Sequence, residues 1–292
     1  MVFYEYDNIS YSEILRKSLF LYKAYGDMIS INSLGFSHDG REIISICMGK
    51  NDKNKFLYTA GVHGRESINP AVFLMIIEEY AKKYQSDVKI KELLDNNKLM
   101  FIPVINPDGY EIAREGYSVI HNELLREYCK SFKIKNYLWK YNARAVDINR
   151  NFESSSFVPT LQMPYDSSEY ETKILKQYMT KEKPDIYIDF HSRGRAVYWY
   201  RKAMNREYNE RQLYYAKKLS EITGYELINP KEELDEQNAG GNTVHYASEV
   251  LNIPSFTIET VNDRAEFPLD KKYYEIVFKQ IKHIPLKILP LL

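Results

Sequence analysis

The 292-residue sequence predicts an α/β fold built as a single domain over residues 1–292. Three observations carry this. Short β-branched or aromatic runs alternate with longer stretches of helical periodicity, the order expected when strands and helices follow one another. The short runs are almost continuously apolar, as in strands covered on both faces. No internal repeat and no Gly-, Ser- or Pro-rich linker divides the chain, whose 12 Gly and 11 Pro are scattered as turn punctuation.

Taken in order, a helix is expected over residues 11–25, then strands over 43–48 and 56–60. The next helix spans 70–84: Val72, Met75, Ile76 and Tyr80 keep helical spacing, Asn69 is placed to cap, and Pro70 suits a first turn. A strand over 99–105 ends in the turn signal Asn106-Pro107-Asp108-Gly109. A helix over 168–181 leads to strands at 186–190 and 196–200. Helices over 206–223 and 243–251, a strand over 255–259 and a helix over 271–282 complete the chain. The 26 tyrosines read as packing residues that keep their hydroxyls wet. Cys47 falls in a strand and Cys129 in a helical stretch; two cysteines are too few for a disulfide framework or a thiolate metal site.

Composition narrows the partners. With 40 Lys+Arg against 40 Asp+Glu, the formal charge is zero, which removes the electrostatic case for nucleic acid or an anionic membrane surface. The longest apolar run, 71–77, is far short of the ~20 residues of a membrane span. Residues 1–7 lack the basic segment and apolar core of a secretory signal, which favours the cytoplasm.

The chemistry concentrates in a few segments. Gly61-Val62-His63-Gly64-Arg65-Glu66 lies between a strand and a helix, and His63 and Glu66, three apart, can aim a ring nitrogen and a carboxylate at one point. His191 follows the 186–190 strand, and ligand groups in α/β sheets gather beyond the carboxyl ends of strands. Two His and one Glu with an open fourth position make the ligand set of a hydrolytic zinc site, although a lone His-x-x-Glu is a weak signal. Glu259 ends an apolar strand, where a carboxylate is costly unless paired or working. It is either salt-bridged to an arginine or a general base beside the metal. Asn149 and Arg150, within Asp147-Ile148-Asn149-Arg150-Asn151-Phe152, form either a polar surface loop or a clamp for a carboxylate, since guanidinium offers a planar two-donor fork.

Together, His63-Gly64-Arg65-Glu66, Asn106-Pro107-Asp108-Gly109-Tyr110, Asp147-Ile148-Asn149-Arg150-Asn151-Phe152, His191-Ser192 and the strand-terminal Glu259 resemble the zinc carboxypeptidase family, which includes carboxypeptidase A. The resemblance implies a mixed, twisted, mostly eight-stranded sheet flanked by helices, and one Zn2+ held by His63, Glu66 and His191. It implies Glu259 as general base, Asn149 and Arg150 on a substrate carboxylate, Arg65 assisting at the entrance, and Asp147 orienting the His63 ring. Where the digestive enzymes place an oxyanion arginine, this chain has Lys140, with Arg144 as the other candidate donor. Where they place a mobile tyrosine before a Gly-Gly loop, it has Glu236. A specificity pocket is expected around Thr243 and the 239–242 loop.

Both departures, with Trp139-Lys140-Tyr141-Asn142-Ala143-Arg144 and His191-Ser192-Arg193-Gly194-Arg195-Ala196-Val197-Tyr198-Trp199, resemble the bacterial γ-D-glutamyl-meso-diaminopimelate peptidases. That branch implies hydrolysis within peptidoglycan stem peptides, with a peptide or muropeptide as partner. The alternatives are a general metallocarboxypeptidase releasing C-terminal residues, a small-amide deacylase, or a non-catalytic binding protein. The last would be marked by a lost ligand or base, and none is lost.

Overall fold

The apolar runs form the middle of one eight-stranded mixed sheet, seen in a computed structural model that describes residues 6, 8–160, 163–233 and 240–289. The strands are β1 (Ile29–Phe36), β2 (Glu42–Met48), β3 (Lys55–Ala60), β4 (Lys98–Ile102), β5 (Ile186–Ser192), β6 (Ala196–Tyr198), β7 (Glu226–Leu227) and β8 (Ser255–Thr260). Their order is β1-β2-β4-β3-β5-β8-β6-β7. The central four, β4, β3, β5 and β8, are mutually parallel, while β2 and β6 join them antiparallel. Parallel strands need both faces covered, which is why β3, β4 and the first half of β5 read as nearly continuous apolar runs, while β8 places Phe256 and Ile258 between polar residues.

Alternate side chains serve opposite layers. Phe56, Tyr58, Ile186, Ile188, Phe256 and Ile258 pack against helices Tyr11–Tyr25, Ile68–Lys83, Arg206–Thr223 and Lys272–Ile281. Leu57, Met100, Ile102 and Tyr187 face helix Tyr170–Glu182 and the segment made by helix Thr243–His245 and the π-helical turn Tyr246–Val250. Among the described residues no helix is long and apolar enough to cross a membrane.

Several expectations change in detail. Helix Ile68–Lys83 is buried on nearly every side rather than along one stripe, because its run of apolar residues leaves no polar face in the middle. Its N-cap is Ser67, not Asn69, whose side chain has a different task. Asn106-Pro107-Asp108-Gly109 is not a simple turn. Asn106 caps helix Pro107–Glu115 by accepting from Gly109 N, with Pro107 in the first turn, and the same residue types serve turns and helix starts. The 99–105 strand stops at Ile102 before Pro103, which has no N–H to offer the ladder. β5 runs to Ser192, so His191 stands inside a strand instead of beyond it. The strand expected over 196–200 ends at Tyr198.

Candidate metal centre

Three carboxyl strand ends converge. β3 leads into the Gly61–Glu66 turn; His191 of β5 is in register with Glu259 of β8. The turn is pressed against the first turn of helix Pro107–Glu115: a Cβ on Gly64 would lie 2.1 Å from the Gly109 carbonyl oxygen, so only glycine fits. Asn106 Nδ2 donates to the carbonyls of Val62 and Tyr141, both at 3.1 Å, and Gly64 N donates to Lys140 O at 3.2 Å. The Asn-Pro-Asp-Gly segment thus ties the His63 turn to the loop that carries Lys140.

Glu66 sits between two imidazoles. His63 Nδ1 lies 2.8 Å from its Oε1, and His191 Nδ1 lies 3.0 Å from its Oε2, which also accepts from Ser192 N at 3.0 Å. The outer nitrogens are held as well: His63 Nε2 is 3.2 Å from Asp147 and His191 Nε2 is 3.0 Å from Asp189. Carboxylates behind both rings fix their orientation and raise their basicity. Asp189 is itself anchored by Thr59 Oγ1 at 2.7 Å and by the Thr243 hydroxyl. Asn69 Nδ2 donates to His191 O at 2.9 Å, holding the strand end in place.

Burial works against the charge on Glu66, but His63 and then His191 hold its carboxyl down at about 2. Asp147 is half-buried, and although that raises its proton affinity, His63 and Lys140 keep it well below the usual carboxylate range. Glu259 goes the other way. Burial, then the nearby negative charge of Glu66, push it up to about 7, and its Oε2 is buried with no hydrogen-bond partner.

One ligand atom from each of His63, Glu66 and His191 lies within 4.8 Å of the others, a spacing that one ion can bridge. Two nitrogens and one oxygen, with rings pinned from behind and an unpartnered carboxylate alongside, fit a tetrahedral zinc ion that keeps its fourth position open. His38, Glu169 and Glu171 bring three such atoms equally close. There, however, Asn142 Nδ2 donates to Glu169 Oε2 at 2.7 Å and Arg144 Nη1 to Oε1 at 3.2 Å, so protein donors already meet the carboxylate.

The other residues singled out in the sequence fall as follows. Lys140 Nζ is 2.6 Å from Asp147 Oδ2, at the metal centre. Arg144 Nη1 lies 3.2 Å from Glu169 Oε1, in the separate charge cluster. Asn149 N donates to Asp147 Oδ1 at 3.0 Å, and its Oδ1 accepts from Thr243 N at 3.4 Å, so Asn149, Arg150 and Thr243 adjoin the donor set. Arg150 Nη1 donates to Asn149 O at 2.7 Å. Thr243 was expected to line a pocket, but its hydroxyl donates to Asp189. Glu236 and residue 239 of the expected pocket loop lie outside the described residues. Sequence reasoning passed over Asp189 and gave Asn69 only the task of a helix cap. An acid two residues before His191 in an apolar strand shares its face, and that was the available signal.

An α/β sheet that gathers a His/Glu/His donor set and a protonatable carboxylate at its parallel strand ends defines a mononuclear metal centre of the hydrolytic type. Residues 20–284 match the zinc carboxypeptidase family, and the chain belongs to it. Human carboxypeptidase A6 is 28% identical over 185 residues, 59% of this chain and 40% of that protein, so the match spans less than half the length of this curated relative. Bovine thrombin-activatable fibrinolysis inhibitor, solved with tick carboxypeptidase inhibitor, has a TM-score of 0.77 at 20% identity, covering 97% of both chains. Murein-tripeptide amidase MpaA from Escherichia coli O157 has a TM-score of 0.57 at 15% identity, covering 89% of this chain and 93% of its own. At these identities the solved structures speak for the fold.

Proposed function

We propose that this chain is a zinc metallopeptidase that hydrolyses the γ-D-glutamyl–meso-diaminopimelate bond of peptidoglycan stem peptides. The single observation behind the hydrolytic reading is Glu259, a half-buried residue whose Oε2 is enclosed without a partner and whose proton affinity is raised to about 7, beside the His63/Glu66/His191 set. Bound zinc supplies Lewis acidity, drawing the pKa of water from about 15.7 toward about 7 and polarising the scissile carbonyl. Glu259 Oε2 accepts the proton of the attacking water and returns it to the leaving amine. Lys140 Nζ, held by Asp147 at 2.6 Å, is the cation available to the negative charge that develops on the carbonyl oxygen. Asn149 and Arg150 grip a carboxylate of the leaving residue through the guanidinium fork and the amide.

The wall-peptide specificity is supported by the sequence strings shared with that bacterial branch and by the fold shared with a murein-tripeptide amidase. Incubating the zinc-loaded protein with diaminopimelate-containing tripeptide and tetrapeptide, and following products by mass spectrometry, tests it. Release of diaminopimelate-bearing fragments is expected. Release of ordinary C-terminal residues instead would replace it with a general metallocarboxypeptidase, the activity named for carboxypeptidase A6. Hydrolysis of neither would sink both.

A further inference from the structure

Two arginines follow the histidines of the donor set at the same interval, in His63-Gly64-Arg65 and His191-Ser192-Arg193. They meet on one ring. The guanidinium carbons of Arg65 and Arg193 lie over Phe267, at 4.7 and 5.7 Å from its centroid. A guanidinium laid on an aromatic face is held in orientation while its edge N–H groups remain free to donate.

Several arginines have found an acid: Arg41 meets Asp39 and Asp108, Arg114 meets Glu111 and Glu115, Arg144 meets Glu169, and Arg206 meets Glu210. Arg65 and Arg193 have none among the described residues, although Asp263 and Glu266 stand in the same loop as Phe267. Arg65 Nε is also buried without a hydrogen-bond partner, an uncompensated donor next to the donor set. The Arg193–Gly194 backbone packs on the general-base side: a Cβ on Gly194 would stand 3.1 Å from Glu259 Cβ. The site therefore has two cationic grips. Asn149–Arg150 is joined to the Asp147 end of the donor set, and Arg65–Arg193 is joined to the Glu259 end.

We infer that Arg65 and Arg193, braced on Phe267, form a second carboxylate subsite that takes a free carboxylate on the acyl residue of the substrate. This rests on the peptidase reading above, in which Asn149 and Arg150 hold the leaving residue. A γ-linked glutamyl residue keeps its α-carboxylate at the far end of the chain that carries the scissile carbonyl. An α-linked residue has used that group to make the bond. The subsite thus selects γ-glutamyl over ordinary peptide substrates, and it offsets the repulsion an acidic substrate meets from Glu66, Glu259, Asp147 and Asp189.

The test compares γ-D-glutamyl-meso-diaminopimelic acid with its α-carboxamide analogue. Both are titrated calorimetrically into zinc-loaded Glu259→Gln protein, which leaves them intact, and into the same protein carrying Arg193→Gln or Arg193→Lys. The acid should bind about 10- to 100-fold more tightly than the amide, the span of a charge-assisted hydrogen bond. Arg193→Gln should remove most of that preference while leaving amide affinity unchanged, and Arg193→Lys should keep part of it. Equal affinity for acid and amide in the parent overturns the subsite, as does a preference that survives Arg193→Gln. Acid preference in binding with no turnover by the unsubstituted protein supports the subsite and counts against the peptidase reading alone. Turnover of acid and amide at equal efficiency does the reverse.

Discussion

Zinc uptake by the metal-free protein is expected to displace protons and to weaken steeply in acid. His191 is buried and His63 half-buried, which by itself disfavours their charge. The carboxylates on either side outweigh this: Glu66 and Asp147 raise His63 above its ordinary 6.5, and Asp189 and Glu66 raise His191 well above it. Below about pH 6.5 both rings are therefore mostly protonated, and a metal can bind only the unprotonated nitrogens. Each ion then displaces two protons. Glu66, held at about 2, is already ionised and releases none. Two displaced protons weaken the apparent affinity about 100-fold per pH unit, or about 2.7 kcal/mol at ~1.36 kcal/mol for each proton. Glu259, at about 7, adds up to one more proton when a dication lowers its affinity for it, and Glu259→Gln removes that contribution. Calorimetry near about pH 6 in two buffers of different ionisation enthalpy counts the protons, and chelator competition across the acid range gives the slope. Release of fewer than one proton, or an affinity that moves less than about 10-fold per pH unit, would refute the assignment of both imidazoles as ligands.

Glu259→Gln should keep one zinc per chain by atomic absorption while kcat/KM falls about 10²- to 10⁴-fold, and a near-parental rate would remove Glu259 from proton transfer. Glu171, in the cluster with His38 and Glu169, holds its proton up to about 7 because burial outweighs the attraction of His38. Below its ordinary 4.5 both folded and unfolded chains carry that proton, so stability is lost as pH rises from there through 7, by about 3 kcal/mol in all. In urea melts Glu171→Gln should match the parent near pH 4.5 and exceed it by roughly that amount above pH 7; a gap that does not change with pH overturns this.

The strands that build the site were legible because they are buried on both faces. β2, β3, β4 and β5 each read as a largely apolar run and β8 as Phe256 and Ile258 set between polar residues, and each forms close to where it was expected. β1 was not legible: only Ile29 is buried in Ile29–Phe36, and its alternation, Ile29 and Ile31 then Leu34 and Phe36, slips by one residue at the irregularity between Ser33 and Gly35. Helices Val88–Asn96 and Glu123–Ser131 were passed over because they are short and mostly polar. At the site, His63, Glu66, His191 and Asp147 come together where the motifs suggested. The partners of Lys140 and Arg144 were not legible, because both lie on one loop and only the coordinates show that Lys140 reaches Asp147 and Arg144 reaches Glu169. Asn69 looked like a cap because its type and place suit one, but its side chain supports the His191 carbonyl.

The geometry also separates ligand from base among glutamates that look alike in the sequence. From Lys140 the charges alternate without a gap: Asp147 at 2.6 Å, His63 at 3.2 Å, Glu66 at 2.8 Å, His191 at 3.0 Å and Asp189 at 3.0 Å. Every acid in that series has a cation-forming neighbour, and Glu66 and Asp147 are held below the usual carboxylate range by theirs. Glu259 stands beside the series but outside it. It feels Glu66 as a like charge and has an oxygen with no donor to satisfy it. Two carboxyls at one site, one at about 2 and the other at about 7, cannot exchange roles. The first is always an anion, as a metal ligand must be. The second can hold or release a proton near neutrality, which amide hydrolysis requires of its base. Reversing them would require moving an imidazole from Glu66 to Glu259, and β5 prevents this by fixing His191 through Asp189 on one side and Asn69 on the other.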